Sequence, residues 1–154
     1  MSQWVGGVPG GPNLDPETYL RAIDTKDFLR LVITGHLYIE AVLIQLIKKR
    51  APQNAAGVED LRFMTLVDRA IASGLVQPDE RESYRRLNGM RNTLAHELGA
   101  IITMGDVEDF LKTLSPPQLN LVSALTRRPV AWGIDLQPAL VVLFVDLHSR
   151  LSAA

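Results

Sequence analysis

Between Thr25 and Arg50 the chain contains neither proline nor a cluster of turn residues. Apolar residues recur there at positions 28, 31, 32, 35, 39, 42, 43 and 46, the three-and-four spacing of a long helix. Asp24 or Thr25 is placed to cap its start, Lys48, Lys49 and Arg50 suit its C-terminal dipole, and Pro52 follows the stop. Apolar side chains surround this helix on nearly every side, with Leu29, Ile33, Leu37 and Ile44 opposite Val32, Ile39 and Leu46. A helix that is apolar all round is buried all round. In a small protein that leaves two arrangements: a simple central helix, or one face in the core and another in a dimer interface. The second is favoured. A lipid-spanning helix is not expected, because Arg30, Thr34, His36, Glu40 and Gln45 interrupt the stretch.

The rest of the chain reads as further helices. They are expected over Val58–Ser73 with Gly74 at the end, from Pro78–Asp79 to Gly99, over Asp106–Leu114, over Pro117–Arg128 behind a Ser115–Pro116 cap, and from Pro138 to Arg150. A short extended piece at Ile101–Thr103 is the one exception; no hairpin signal or 20–50-residue repeat appears. The expected class is all-α, a small up-and-down helical bundle with short connections. Residues 1–16 hold Gly6, Gly7, Gly10 and Gly11 with Pro9, Pro12 and Pro16. They read as a flexible arm, with Trp4 as its one anchor, leaving 17–154 as a single domain. The opening MSQWVGGVPGGPNLDP lacks the basic start and apolar run of a signal peptide, so a soluble, cytoplasmic protein is expected.

Composition narrows the chemistry. The 154 residues contain no cysteine, which excludes disulfides, zinc fingers, iron–sulfur ligation and thiol catalysis. Three histidines, His36, His96 and His148, make a poor metal cage, and no metal or cofactor is expected. A formal net charge of −1 argues against gripping nucleic acid through bulk positive charge, though not against a local basic groove. Segments 25–50 and 81–96 together sum to +6 and the remainder to −7, counted from the sequence.

The third expected helix carries the clearest chemical signal. At about 100° per residue, Leu87, Leu94, Ala95 and Leu98 form an apolar stripe with Arg91 projecting among them. A guanidinium on such a stripe needs a partner; Glu40 on the first long helix, or an anion held between protomers, would serve. Asn88, Asn92 and His96 form an adjoining polar row at intervals of four. Arg91 and His96 lie about 140° apart on an ideal helix and flank Asn92, an arrangement suited to a cleft between helices. His36 and Glu40 also share one face, as a structural pair or as support for a site. A forked guanidinium stabilises anionic oxygen, histidine moves protons near neutral pH, and asparagine orients either. Together they suit metal-free transfer of an RNA phosphodiester to its own 2′-hydroxyl. The bland reading leaves Arg91 and His96 purely structural. Arg81, Arg85 and Arg86 either track an RNA backbone or, interleaved with Glu80 and Glu82, simply solvate a helix. Tyr84, four before Asn88, either lines the same cleft or, as favoured, is a bundle-edge aromatic.

The run Arg91-Asn92-Thr93-Leu94-Ala95-His96 resembles the signature of the HEPN superfamily: an arginine, usually followed by a polar residue, then a histidine after a gap of roughly four to six. Leu87-Asn88-Gly89-Met90 and Gly35-His36-Leu37-Tyr38-Ile39-Glu40 are similar to a bacterial branch related to mannitol-repressor-like proteins. The resemblance covers roughly residues 25–115. It implies a HEPN-like bundle that dimerises and pairs two motifs in one cleft. It further implies a metal-independent endoribonuclease, a toxin beside a nucleotidyltransferase-type antitoxin or a phage-defence component. On that resemblance Arg91 and His96 are catalytic, Asn92 positions them, and Glu40 and His36 support them. The mannitol-repressor-like branch implies the alternative, a non-catalytic regulator or protein-interaction module.

Overall fold

A computed structural model of the chain describes residues 13–152. Among them are seven α-helices and no strand: α1 (Pro16–Ala22), α2 (Phe28–Arg50), α3 (Phe63–Ala72), α4 (Arg81–His96), α5 (Met104–Leu111), α6 (Pro116–Thr126) and α7 (Leu136–Ser152). The expected all-α bundle is therefore present, and Ile101–Thr103 is irregular chain. Residues 1–12 of the expected arm, Trp4 included, lie outside the described residues. The arm's last residues belong to the folded body instead. Leu14 is buried, and Asp15 caps α1 by accepting from the Thr18 N–H at 3.2 Å.

Helix α2 is the hub, packed against α7 on one side and α3 and α4 on the other. By length and composition it is apolar enough to cross a membrane, yet twelve of its residues, from Leu31 to Ile47, are buried in the bundle. It meets α7 closely because Gly35 has no side chain. A Cβ built there would stand 3.0 Å from both Leu140 methyl groups. The α7 backbone is pinned alongside by Tyr19, whose hydroxyl donates to the Leu140 carbonyl at 2.9 Å and whose ring stacks on Phe144 at 3.9 Å between centroids. α6 lies against α7, and α5 bridges α4 and α7.

Several expected boundaries move, each for a local reason. α2 starts at Phe28 rather than Thr25 because α1 and the turn after it occupy residues 16–26. Thr25 Oγ1 accepts from the Asp27 N–H, and Asp27, not Asp24 or Thr25, caps α2 through the Leu29 N–H at 3.0 Å. The expected Val58–Ser73 helix is broken. A single 3-10 turn, Val58–Asp60, is followed by extended backbone at Leu61 and Arg62 before α3 begins. α4 stops at His96, where Glu97 turns extended, so Leu98 lies beyond the helix and is fully exposed, and Ala95 is exposed too. The true core stripe of α4 is Ser83, Tyr84, Leu87 and Met90. Tyr84 is thus a core residue and not an edge aromatic.

The outward face of α2 settles how its all-round apolarity is used within one chain. Leu29, Ile33 and Leu37, four apart, remain between 40% and 50% exposed, whereas Ile44 is buried. One turn-by-turn apolar stripe on the first half of the helix is therefore left uncovered.

Candidate functional site

That uncovered stripe borders a cleft of about 760 Å³ between α2, the start of α3, and α4. α2 contributes Ile33, His36, Leu37 and Glu40 to its wall; α3 and the residue before it contribute Arg62, Phe63, Met64 and Thr65; α4 contributes Asn88, Arg91, Asn92 and His96. All five residues singled out from the sequence, Arg91, His96, Asn92, Glu40 and His36, therefore meet in one cavity. The i, i+4 arithmetic explains this. His36 and Glu40 present one face of α2, Asn88, Asn92 and His96 one face of α4, and the two helices pack with those faces turned toward a common space.

The floor is built by His36. It is buried among apolar groups, its ring 4.2 Å from that of Phe63, and its Nε2–H donates to Asn88 Oδ1 at 3.0 Å. Burial lowers the imidazole below the ordinary histidine range; the Asn88 hydrogen bond opposes this and the nearby Arg91 charge adds to it. The partner of the buried histidine is thus Asn88 across the helix interface, not Glu40 on its own helix. Glu40 is half-buried. Burial raises its carboxyl above the ordinary carboxylate range, while the Arg91 charge pulls it back. The two interact through space, yet no ion pair closes between them; the Arg91 guanidinium instead donates to Asn92 Oδ1 at 3.4 Å. Arg91 sits at the boundary of the core stripe, half-buried, and the expected Glu40 clasp is an open one. His96, in the last turn of α4, is exposed at the cleft mouth.

Arg62 was not visible as a site residue in the sequence. It fell inside an expected helix, and only the break at Leu61–Arg62 turns it toward α4. Nothing local marks that break, since no proline or glycine occupies it. Among the described residues no group of three or more histidine, aspartate or glutamate side chains stands where it could hold a metal ion. Comparison with family models, with curated proteins and with solved structures gives no match.

Proposed function

We propose that this protein is a metal-independent endoribonuclease of HEPN type, a toxin–antitoxin or phage-defence component of the cytoplasm that works as a homodimer. The observation that carries this reading is the single cleft holding Arg91, Asn92 and His96 above His36 and Glu40. In the proposed reaction, neutral His96 takes the proton of the RNA 2′-hydroxyl. The 2′-oxygen attacks the adjacent phosphorus, the bond to the 5′-oxygen breaks, and an imidazolium returns a proton to that leaving oxygen. The products are a 2′,3′-cyclic phosphate and a 5′-hydroxyl, and no further reactant is consumed. Arg91 stabilises the charge that builds on the phosphate oxygens, and Asn92 holds the guanidinium in place. Two clefts facing each other across the Leu29–Ile33–Leu37 stripe would supply one histidine as base and another as acid, which is why the site reads as a composite one.

The test is RNA cleavage in EDTA by wild type, Arg91→Ala and His96→Ala. His96 is exposed and makes no side-chain hydrogen bond among the described residues, so its removal leaves the fold intact. Loss of a general acid–base group costs about 10²–10⁴ in rate, and loss of a charge-stabilising donor about 10²–10³. Cleavage that persists in both folded variants refutes the assignment. The exposed apolar stripe beside the cleft favours one second reading, a non-catalytic regulator or interaction module of the mannitol-repressor-like kind. That reading predicts no cleavage by wild type and a stable complex with a partner protein, for example a nucleotidyltransferase-type antitoxin.

A further inference from the structure

We infer that Arg62 is a second phosphate-binding guanidinium of the cleft, gripping the RNA backbone from a different wall than Arg91. The inference rests on the nuclease reading for its ligand class and on three observations for its substance. First, Arg62 at the entry to α3 and Arg91 on α4 line the same cavity from different walls. Second, neither is neutralised. The Arg62 side chain has no hydrogen bond or ion pair among the described residues, and the Arg91 guanidinium has the amide oxygen of Asn92 and, through space only, the half-buried Glu40. This sets them apart from arginines that serve the fold. Arg81 holds Asp68 at 2.7 Å, Arg128 holds Asp135 at 2.6 Å, Arg150 holds Glu80 at 2.6 Å, and Arg69 donates to two backbone carbonyls. Third, the one acidic side chain on the cleft wall is Glu40, and its burial disfavours the charged form.

An anion seated in this cavity meets a guanidinium from each of two walls. The cavity, about 760 Å³, lies in the range of small-ligand sites, about 300–1,000 Å³, and is far larger than a lone phosphate needs. Planar, forked donors match phosphate oxygens in pairs. An extended phosphodiester chain meets these demands together. Arg91 faces the scissile phosphate, and Arg62 holds a neighbouring one and so sets the register of the strand. Arg62 is a substrate-anchoring residue on this view, with no part in proton transfer.

The experiment measures binding of a fluorescein-labelled oligonucleotide made uncleavable by 2′-deoxy substitution, by anisotropy across a salt series. Wild type is compared with Arg62→Gln, Arg62→Lys and Arg21→Gln; the last removes an exposed charge on α1, away from the cleft. Arg62→Gln should bind about tenfold more weakly, with a salt slope shallower by about 0.7, the value of one single-strand phosphate contact. Arg62→Lys should recover the slope, and Arg21→Gln should match wild type. Thermal melts confirm equal folding, as expected for an exposed arginine without partners. Unchanged affinity and slope in Arg62→Gln overturn the inference, as does an equal loss in Arg21→Gln. Cleavage of the all-ribose strand by wild type is scored separately. Binding that depends on Arg62 without any cleavage defeats the nuclease reading and keeps the anchor; cleavage with Arg62-independent binding does the reverse. Absence of any binding by wild type defeats the anchor outright.

Discussion

Three described glycines lie in helices; Gly105 is in the first turn of α5, and for the two in helix interiors the structure assigns replacement by alanine opposite signs. Gly35 sits in the middle of α2, and Gly89 in the middle of α4. Alanine is worth about 0.8–1.0 kcal/mol over glycine in a helix interior. At Gly89 nothing lies within 4 Å of the added Cβ, so Gly89→Ala should gain close to that full amount. At Gly35 the new methyl would meet both Leu140 Cδ atoms at 3.0 Å and its Cγ at 3.4 Å, well inside the optimum carbon–carbon separation of about 3.5–4.0 Å. The Leu140 side chain has little room to swing away, because it is wholly buried in the core, and the Tyr19 hydrogen bond to its carbonyl holds the backbone beneath it. Overpacking of this kind costs about 1–3 kcal/mol, which exceeds the propensity gain, and Gly35→Ala should lose about 1 kcal/mol net. The two variants should therefore differ by about 2 kcal/mol in urea unfolding followed by circular dichroism, with unchanged m-values. Equal stabilisation by both would show that α2 and α7 are not in the close contact described, and the placement of His36 one residue further along would lose its footing.

Two further outcomes follow from the same packing. The folded chain resists a proton on His36 that the unfolded chain accepts, so stability should fall as pH drops below about 6.5, by at most about 1.4 kcal/mol per unit, and level off once pH passes the lowered folded value. His36→Gln should flatten that window; a pH-stability curve unaltered by the substitution refutes the buried, neutral assignment. Leu37→Glu, in the middle of the exposed α2 stripe, should convert a dimer into a folded monomer by light scattering, and a wild type that is monomeric at micromolar concentration would rule out the stripe as a self-association surface.

The helical class and the central helix were legible because they rest on local signals: an apolar repeat near 3.6 residues, uninterrupted by proline, over 25–50. Helix ends were less so. The pair Asp15–Pro16 is a cap followed by a first-turn proline, but it sits at the edge of a glycine-rich stretch and reads as part of it, and α1 goes unnoticed. The stripe on α4 was misjudged at its C-terminal end because a wheel drawn at 100° per residue continues past Glu97, where the chain has already left the helix. Gly99, with φ of +79°, belongs to the loop beyond and not to the helix stop. The candidate site was legible where it rests on intervals of four within one helix: His36 with Glu40, Asn88 with Asn92 and His96. Which helix faces which is a tertiary fact. The sequence accordingly paired His36 with Glu40, its neighbour on α2, whereas the fold pairs it with Asn88 on α4.

Charge shows the same division between local and tertiary information, and it bears on function. The windows 25–50 and 81–96 sum to +6 along the chain, which by itself suggests a basic face. In the folded protein four of the nine positive side chains in those windows are met by carboxylates. Lys48 pairs with Glu59, Arg81 with Asp68, Arg85 with Glu82, and Arg86 lies between Glu82 and Asp109. Arg85 and Arg86, once candidates for tracking an RNA backbone, are therefore compensated surface residues whose field is short-ranged. Positive charge left available at the cleft comes from Arg91 and from Arg62, and Arg62 lies outside both windows. A near-neutral chain does not need a basic face to hold a phosphodiester. It needs a cavity whose acidic complement is kept small and whose guanidiniums the fold leaves unpaired. The break before Phe63 supplies one of these, and the boundary position of Arg91 on α4 supplies the other.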